Sequence, residues 1–165
     1  MKALLLEFGK YNQWANNRLI DVLIKLDDTI WEKEIVSSFP GLKKTILHIW
    51  SAENIWLQRL LLTENPVWVQ DVFTGGNNEL VTHWQKTSTD LTLFIEKQHN
   101  ENAFTHILEF YDRSKKQHKT EVYKVLQHTF NHSNFHRGQL ITMLRQLQIT
   151  KLPSTDFIIY AGLFK

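Results

Sequence analysis

Four stretches of this chain carry apolar residues at helical spacing, and only one short stretch alternates, so an all-α architecture is the first expectation. Leu4, Phe8, Tyr11, Ala15, Leu19, Val22 and Leu26 recur at steps of four and three. They form one side of an amphipathic helix across roughly residues 3 to 26. Ser37-Ser38-Phe39-Pro40-Gly41 breaks the pattern, and a second helix is predicted from about Leu42 to Leu62. Leu80, Trp84, Thr87, Leu91 and Phe94 mark a third, ending near Gln98, and a fourth runs from about Thr120 to Leu147.

Between the second and third helices, Glu64 to Asn78 contains Pro66 and Gly75-Gly76 and reads as a loop. Trp68, Val69, Val72 and Phe73 predict that this loop packs down onto the protein. Before the fourth helix, Phe104, His106, Leu108 and Phe110 alternate and lead into the polar run Asp112 to Lys119. A small β-hairpin is expected there, although no Asn-Gly or Asp-Gly turn marks it. Pro153-Ser154-Thr155-Asp156 predicts an N-terminal cap for a short last helix carrying Phe157, Ile158, Ile159 and Tyr160. The expectation is a four-helix bundle with a hairpin before the fourth helix and a short C-terminal helix, all in one domain spanning residues 1–165.

The second helix has no polar side. Ile46, Leu47, Ile49, Trp50, Ile55, Trp56, Leu57, Leu60 and Leu61 cover nearly every direction around it. Such a helix is either central to the core or buried a second time by another subunit. For a chain of this size we favour the second option, which predicts a homodimer with Trp50, Trp56 and Leu57 contributing to the contact.

The chain contains no cysteine, which excludes disulfides and thiolate metal sites and requires nitrogen or oxygen ligands for any ion. Lysines and arginines are scattered and the net charge is only +2, so there is no nucleic-acid footprint and no nucleic-acid partner is expected. Glu7 interrupts the apolar start, and no run approaches membrane-spanning length. No membrane association is expected, and the expected location is cytoplasmic.

His128, His132 and His136 stand four apart on the fourth helix. Four residues turn a helix about 40° beyond a full circle and climb about 6 Å, so an adjacent pair can direct two imidazoles at one point. All three cannot share one ion, because His128 and His136 lie about 12 Å apart along the axis. On a helical wheel, Val125, Thr129, Leu140, Met143 and Leu144 define an apolar stripe that includes His136, with His132 at its edge and His128 on the flank. His132 and His136 are therefore the inward pair.

A third ligand must come from elsewhere. His83 shares its face with Glu79, Lys86, Asp90 and Lys97, a solvated face. His99 follows the third helix, and His106 and His118 belong to the hairpin region. Elimination leaves His48, which the wheel cannot aim because its helix is apolar in all directions. A lone histidine in such a helix is also compatible with a hydrogen-bonded core residue.

Three segments carry a resemblance that covers nearly the whole chain. They are Tyr11-Asn12-Gln13-Trp14-Ala15-Asn16, then Thr45-Ile46-Leu47-His48-Ile49-Trp50 with Ala52-Glu53, and His132 to Gln139. Leu152-Pro153 followed by Asp156-Phe157 adds a weaker trace. In this order and spacing the chain resembles the DinB family of DinB/YfiT-like metalloenzymes. The resemblance implies a four-helix bundle with two long connections, a homodimer, and one divalent ion held by a histidine triad. Carried onto this sequence, the triad is His48, His132 and His136. A second histidine frequent just before the last ligand is Phe135 here.

Three imidazoles leave a coordination position open, as in catalytic sites, and suit zinc or nickel. Relatives in the wider superfamily imply a thiol-dependent S-transferase using a low-molecular-weight thiol. A metal-dependent hydrolase acting on a small-molecule substrate stands beside it, either one tied to stress or detoxification. The non-enzymatic alternative is a stress-associated dimeric bundle with a structural or vestigial metal site. Arg137, beside the inward stripe, is a candidate for binding an anionic substrate group or for pairing with a carboxylate at a helix contact. Gln139 and Asn12 are candidates for orienting the ligands. Asp156 is expected to cap its helix, and Tyr11 and Trp14 to pack.

Overall fold

In the computed structural model, which describes residues 1–162, the four long helices are α1 (Lys2–Leu23), α3 (Leu42–Leu60), α5 (Asn77–Glu96) and α7 (Val122–Gln146). Single turns α2 (Asp28–Trp31), α4 (Val69–Val72), α6 (Asn102–Thr105) and α8 (Phe157–Tyr160) decorate the connections. Strands β1 (Ile107–Tyr111) and β2 (Gln117–Glu121) form an antiparallel hairpin that pairs Ile107 with Glu121 and Tyr111 with Gln117. α1 packs on α5 and α7, and α3 packs on the same two helices. Chain neighbours α1 and α3 therefore lie across the bundle from each other, as do α5 and α7. That arrangement requires long crossings, which are residues 24–41 and the hairpin-bearing segment 97–121.

The hairpin turn does not use the Asn-Gly chemistry that sequence reading looks for. Asp112 Oδ1 accepts the backbone N–H of Ser114 and of Lys116, and Lys115 takes a left-handed φ of 63°. Phe104 is not in the alternating strand as expected. It sits in the single turn α6, fully buried, and the strand begins at Ile107. Gly41 opens α3 at φ 94°, and a Cβ there would meet the Lys33 carbonyl oxygen at 2.9 Å, so the crossing loop can enter α3 only through glycine.

α3 explains its own apolarity. It is the central helix, flanked by α5 and α7 and covered further by α4 and β1. Trp50 and Leu57 are buried within the single chain, and the Trp56 ring packs on Phe110 and His128. Trp50 and Leu57 thus serve the chain's own core, and the apolarity of α3 does not by itself require a subunit contact. Periodicity reports how many sides are covered, not whether a second chain covers them.

The core is in two parts. One gathers Leu19, Trp31, Leu42, Ile46, Trp84 and Leu140, and the other Leu57, Leu91, Ile95, Phe104 and Leu126. Between them every long helix contributes polar side chains to one buried layer: Asn12 and Asn16, Glu53, Ser88, and Ser133 with Arg137. Phe157 and Tyr160 of α8 close over Phe8, Tyr11 and Trp14 of α1. Asp156 occupies the N-cap position of α8 but makes no side-chain cap bond; its carboxylate accepts from Ser154 Oγ at 3.0 Å. Among the described residues no helix is long and apolar enough to cross a membrane.

Candidate metal centre

The seam between α3 and α7 brings together His48, His132 and His136, each offering one ring nitrogen, with all three nitrogens within 4.8 Å of one another. Nε2 of His48 and Nε2 of His132 stand 3.0 Å apart. Ring centroids are 4.4 Å apart for His132 and His136 and 4.6 Å for His48 and His136. Four-residue spacing on one helix supplies the first pair, and the adjacent helix supplies the third ring. His128 stays outside, one turn away, with its ring edge-on to Trp56.

The donor set fits a divalent ion. At a zinc–nitrogen bond of about 2.0–2.1 Å, tetrahedral ligand nitrogens lie about 3.3 Å apart, which the 3.0 Å between His48 and His132 approaches and the 4.8 Å bound on the set allows. His136 Nδ1 pairs with Gln139 Oε1 at 2.8 Å; in that pairing the ring nitrogen donates, which leaves the Nε2 lone pair for the centre. Gln139 Nε2 in turn donates to Ser38 Oγ at 3.1 Å. The rings are also kept neutral, the state an ion requires. Burial, followed by the fields of His136, His48 and His128, lowers the pKa of His132 to about 3. Burial and the field of His136 lower His48, with the Gln70 amide opposing, and burial lowers His136 against its bond to Gln139. His132 Nδ1 is buried without a hydrogen-bond partner among the described residues.

Two of the sequence candidates lie elsewhere. Arg137 is 1% exposed and its Nη1 donates to Asn12 Oδ1 and, at 2.8 Å, to Asn16 Oδ1. Both amides pass the contact on, since their Nδ2 groups donate to Glu53 Oε1 at 2.8 and 2.9 Å. Ser133 Oγ donates to the same oxygen at 2.8 Å and Ser88 Oγ to Glu53 Oε2 at 2.7 Å. Arg137 and Glu53 are thus joined through two asparagines across the bundle, and Arg137 and Asn12 face this layer and not the imidazoles. One residue of helix turns Arg137 about 100° from His136, enough to move it from the seam to the interior. Its pairing with a carboxylate is therefore indirect, and its burial leaves no surface for a substrate anion.

Two further residues shape the site and its surroundings. Phe39 stacks on His48 at 4.1 Å and meets His136 edge-on at 5.7 Å, so the loop before α3 roofs the cluster. Its signal was an aromatic residue inside a Ser-Ser-Pro-Gly break. Glu53 is the other: the only acid on α3, on a helix with no polar side, it had to find buried partners.

Converging neutral imidazoles from adjacent bundle helices, with no thiolate or carboxylate among them, define a helical bundle able to hold a divalent ion. The chain matches the DinB family over residues 1–161 and belongs to it. Protein DinB of Bacillus subtilis (strain 168) is 27% identical over an alignment 165 positions long, which covers 94% of this chain and 92% of that protein. The crystal structure of a DinB-like protein from Bacillus cereus ATCC 10987 superposes with a TM-score of 0.71 at 21% identity, covering 91% of this chain and 94% of its own. A second DinB-like crystal structure, from Bacillus subtilis, gives 0.59 at 12% identity, over 94% and 96% of the two chains. These two share the fold.

Proposed function

We propose that this chain is a metal-dependent enzyme acting on a small molecule, as a thiol-dependent S-transferase or a hydrolase, in a stress or detoxification role. The observation that carries the reading is three neutral imidazoles converging within 4.8 Å with no fourth ligand in the group among the described residues, which leaves a coordination position for substrate. Zinc or nickel bound there would supply Lewis-acid chemistry, acidifying a thiol or water or polarising a carbonyl. The chain's own part is positioning: Gln139 fixes the tautomer of His136, Ser38 fixes Gln139, and Phe39 shields His48 from solvent. The low-molecular-weight thiol as co-substrate rests on the family resemblance, the homodimer on the apolar second helix together with that resemblance, and the cytoplasmic location on the sequence of the N-terminal segment and the lack of an apolar run of membrane-spanning length.

The test is a panel of thiol-transfer and hydrolase substrates before and after chelation. Turnover is expected to disappear with the ion and return with zinc or nickel, while the helical signal persists. Full activity in metal-free protein would overturn the reading. So would a protein that shows no turnover in either state and loses its fold with the ion, which is the behaviour of a structural site. Sedimentation giving only monomer at micromolar concentration would remove the homodimer.

A further inference from the structure

A second candidate site lies further along α3. Arg59 is 7% exposed and lines a cavity of about 630 Å³ bounded by the end of α3, the loop after it and the hairpin. That volume is within the range of ligand pockets. The guanidinium is poorly provided for. It makes one hydrogen bond, Nη2 to the Tyr111 carbonyl oxygen at 2.7 Å, its Nε is buried without an acceptor, and among the described residues no carboxylate lies within ion-pairing distance of it.

Rings of Trp56, Phe110 and Trp68 stand 4.5, 4.6 and 5.5 Å from its central carbon. Cation–π contacts satisfy the flat faces of a guanidinium but not its N–H edges, which need acceptors in the plane. Burial lowers the Arg59 pKa with only the field of Asp112 opposing, as expected of a cation short of anionic partners. Of the acids lining the cavity, Asp112 pairs with His118 and Glu109 with Lys119, and among the described residues Glu64 stands beyond ion-pairing distance of Arg59. Ile55, Leu62 and Pro66 make much of the remaining wall apolar.

We infer that this cavity binds the carboxylate of a small, partly apolar molecule, with Arg59 as its anchor. A carboxylate supplies acceptors to Nη1, which has no hydrogen-bond partner among the described residues and, unlike Nε, is not sealed from solvent, and the apolar body lies against the aromatic walls. Arg59 follows His48 by eleven residues on the same helix, nearly the same face and about 16 Å along the axis, so the cavity is separate from the imidazole cluster. It does not depend on the metal reading.

The probe is phenylacetate, compared with its uncharged analogue phenylacetamide, by calorimetry and by NMR shifts of the Trp56 and Trp68 indole N–H groups. Phenylacetate is expected to bind saturably at millimolar concentration and phenylacetamide at least about tenfold more weakly, because the charge-assisted contact is lost. Arg59→Met should lose a similar factor, Arg59→Lys should fall between because the fork is gone, and His132→Ala should bind as the wild type does. Absence of saturable binding, equal affinity for the two probes, or undiminished binding by Arg59→Met would overturn the inference. Loss of binding in His132→Ala would overturn it too, by placing the probe at the imidazole cluster. The comparison of the two probes on wild-type protein decides even where Arg59→Met does not fold.

Discussion

Replacing Arg137 with Met should expose how the buried polar layer works. The change removes the hydrogen bonds from Nη1 to Asn12 and Asn16, in a position 1% exposed, and leaves two amide oxygens without donors. A hydrogen bond from a charged donor contributes about 1.5–3 kcal/mol, and breaking one side of a buried charge pair costs about 3–5 kcal/mol. Two such hydrogen bonds at the low end give about 3 kcal/mol and, because Arg137 and Glu53 do not touch, the pair figure of about 5 kcal/mol is a ceiling, so about 3–5 kcal/mol in total is expected. For a domain of this size that corresponds to a fall in melting temperature of roughly 6–20 °C. The assay is urea unfolding of wild type, Arg137→Met, Glu53→Gln and the double variant. If the asparagines couple the two charges, the double variant loses less than the sum of the singles, by about 1–2 kcal/mol. Additivity within about 0.5 kcal/mol, or a melting temperature unchanged in Arg137→Met, would refute the coupling.

Gln139→Leu should weaken metal binding by about 10–100-fold while leaving the melting temperature of metal-free protein nearly unchanged, because it removes the bond that orients His136; a competition titration with a chelating dye measures it. Metal-free protein should lose stability as pH falls. In the unfolded chain the triad imidazoles take up protons near pH 6.5, whereas in the fold burial holds all three lower, His132 at about 3. The unfolded state therefore binds more protons over that window, and stability present above about pH 6.5 declines below it. Thermal melts from neutral pH downward should show this, with a flatter dependence in His132→Ala, and an unchanged or rising melting temperature would contradict it.

What could be read from the sequence follows from what periodicity encodes. The stripe of Leu4, Phe8, Tyr11, Ala15 and Leu19 marks a helix because it repeats on one face, and α1 is found at Lys2–Leu23. The hairpin was legible from alternation, but its start was not, because Phe104 fits the alternating pattern as well as it fits the turn α6. Orientation between helices was the main loss. The wheel placed Arg137 at the edge of the inward stripe correctly, yet could not say that Asn12, Asn16 and Glu53 stand opposite it. His48 follows from elimination and from the family resemblance, since an all-apolar helix gives no direction, and the fold supplies one by setting α3 against α7. Phe39 had only its aromatic character within the break as a signal, because a loop has no period to aim it.

The central claim is that His48, His132 and His136 together hold one divalent ion and that His128 does not. Elemental analysis of purified wild type and of the four single alanine variants tests it most directly. One ion per chain is expected in wild type and in His128→Ala, with most of it lost from His48→Ala, His132→Ala and His136→Ala, each of which removes one of three ligands. Equal loss in all four variants, or full occupancy in His48→Ala, would contradict it.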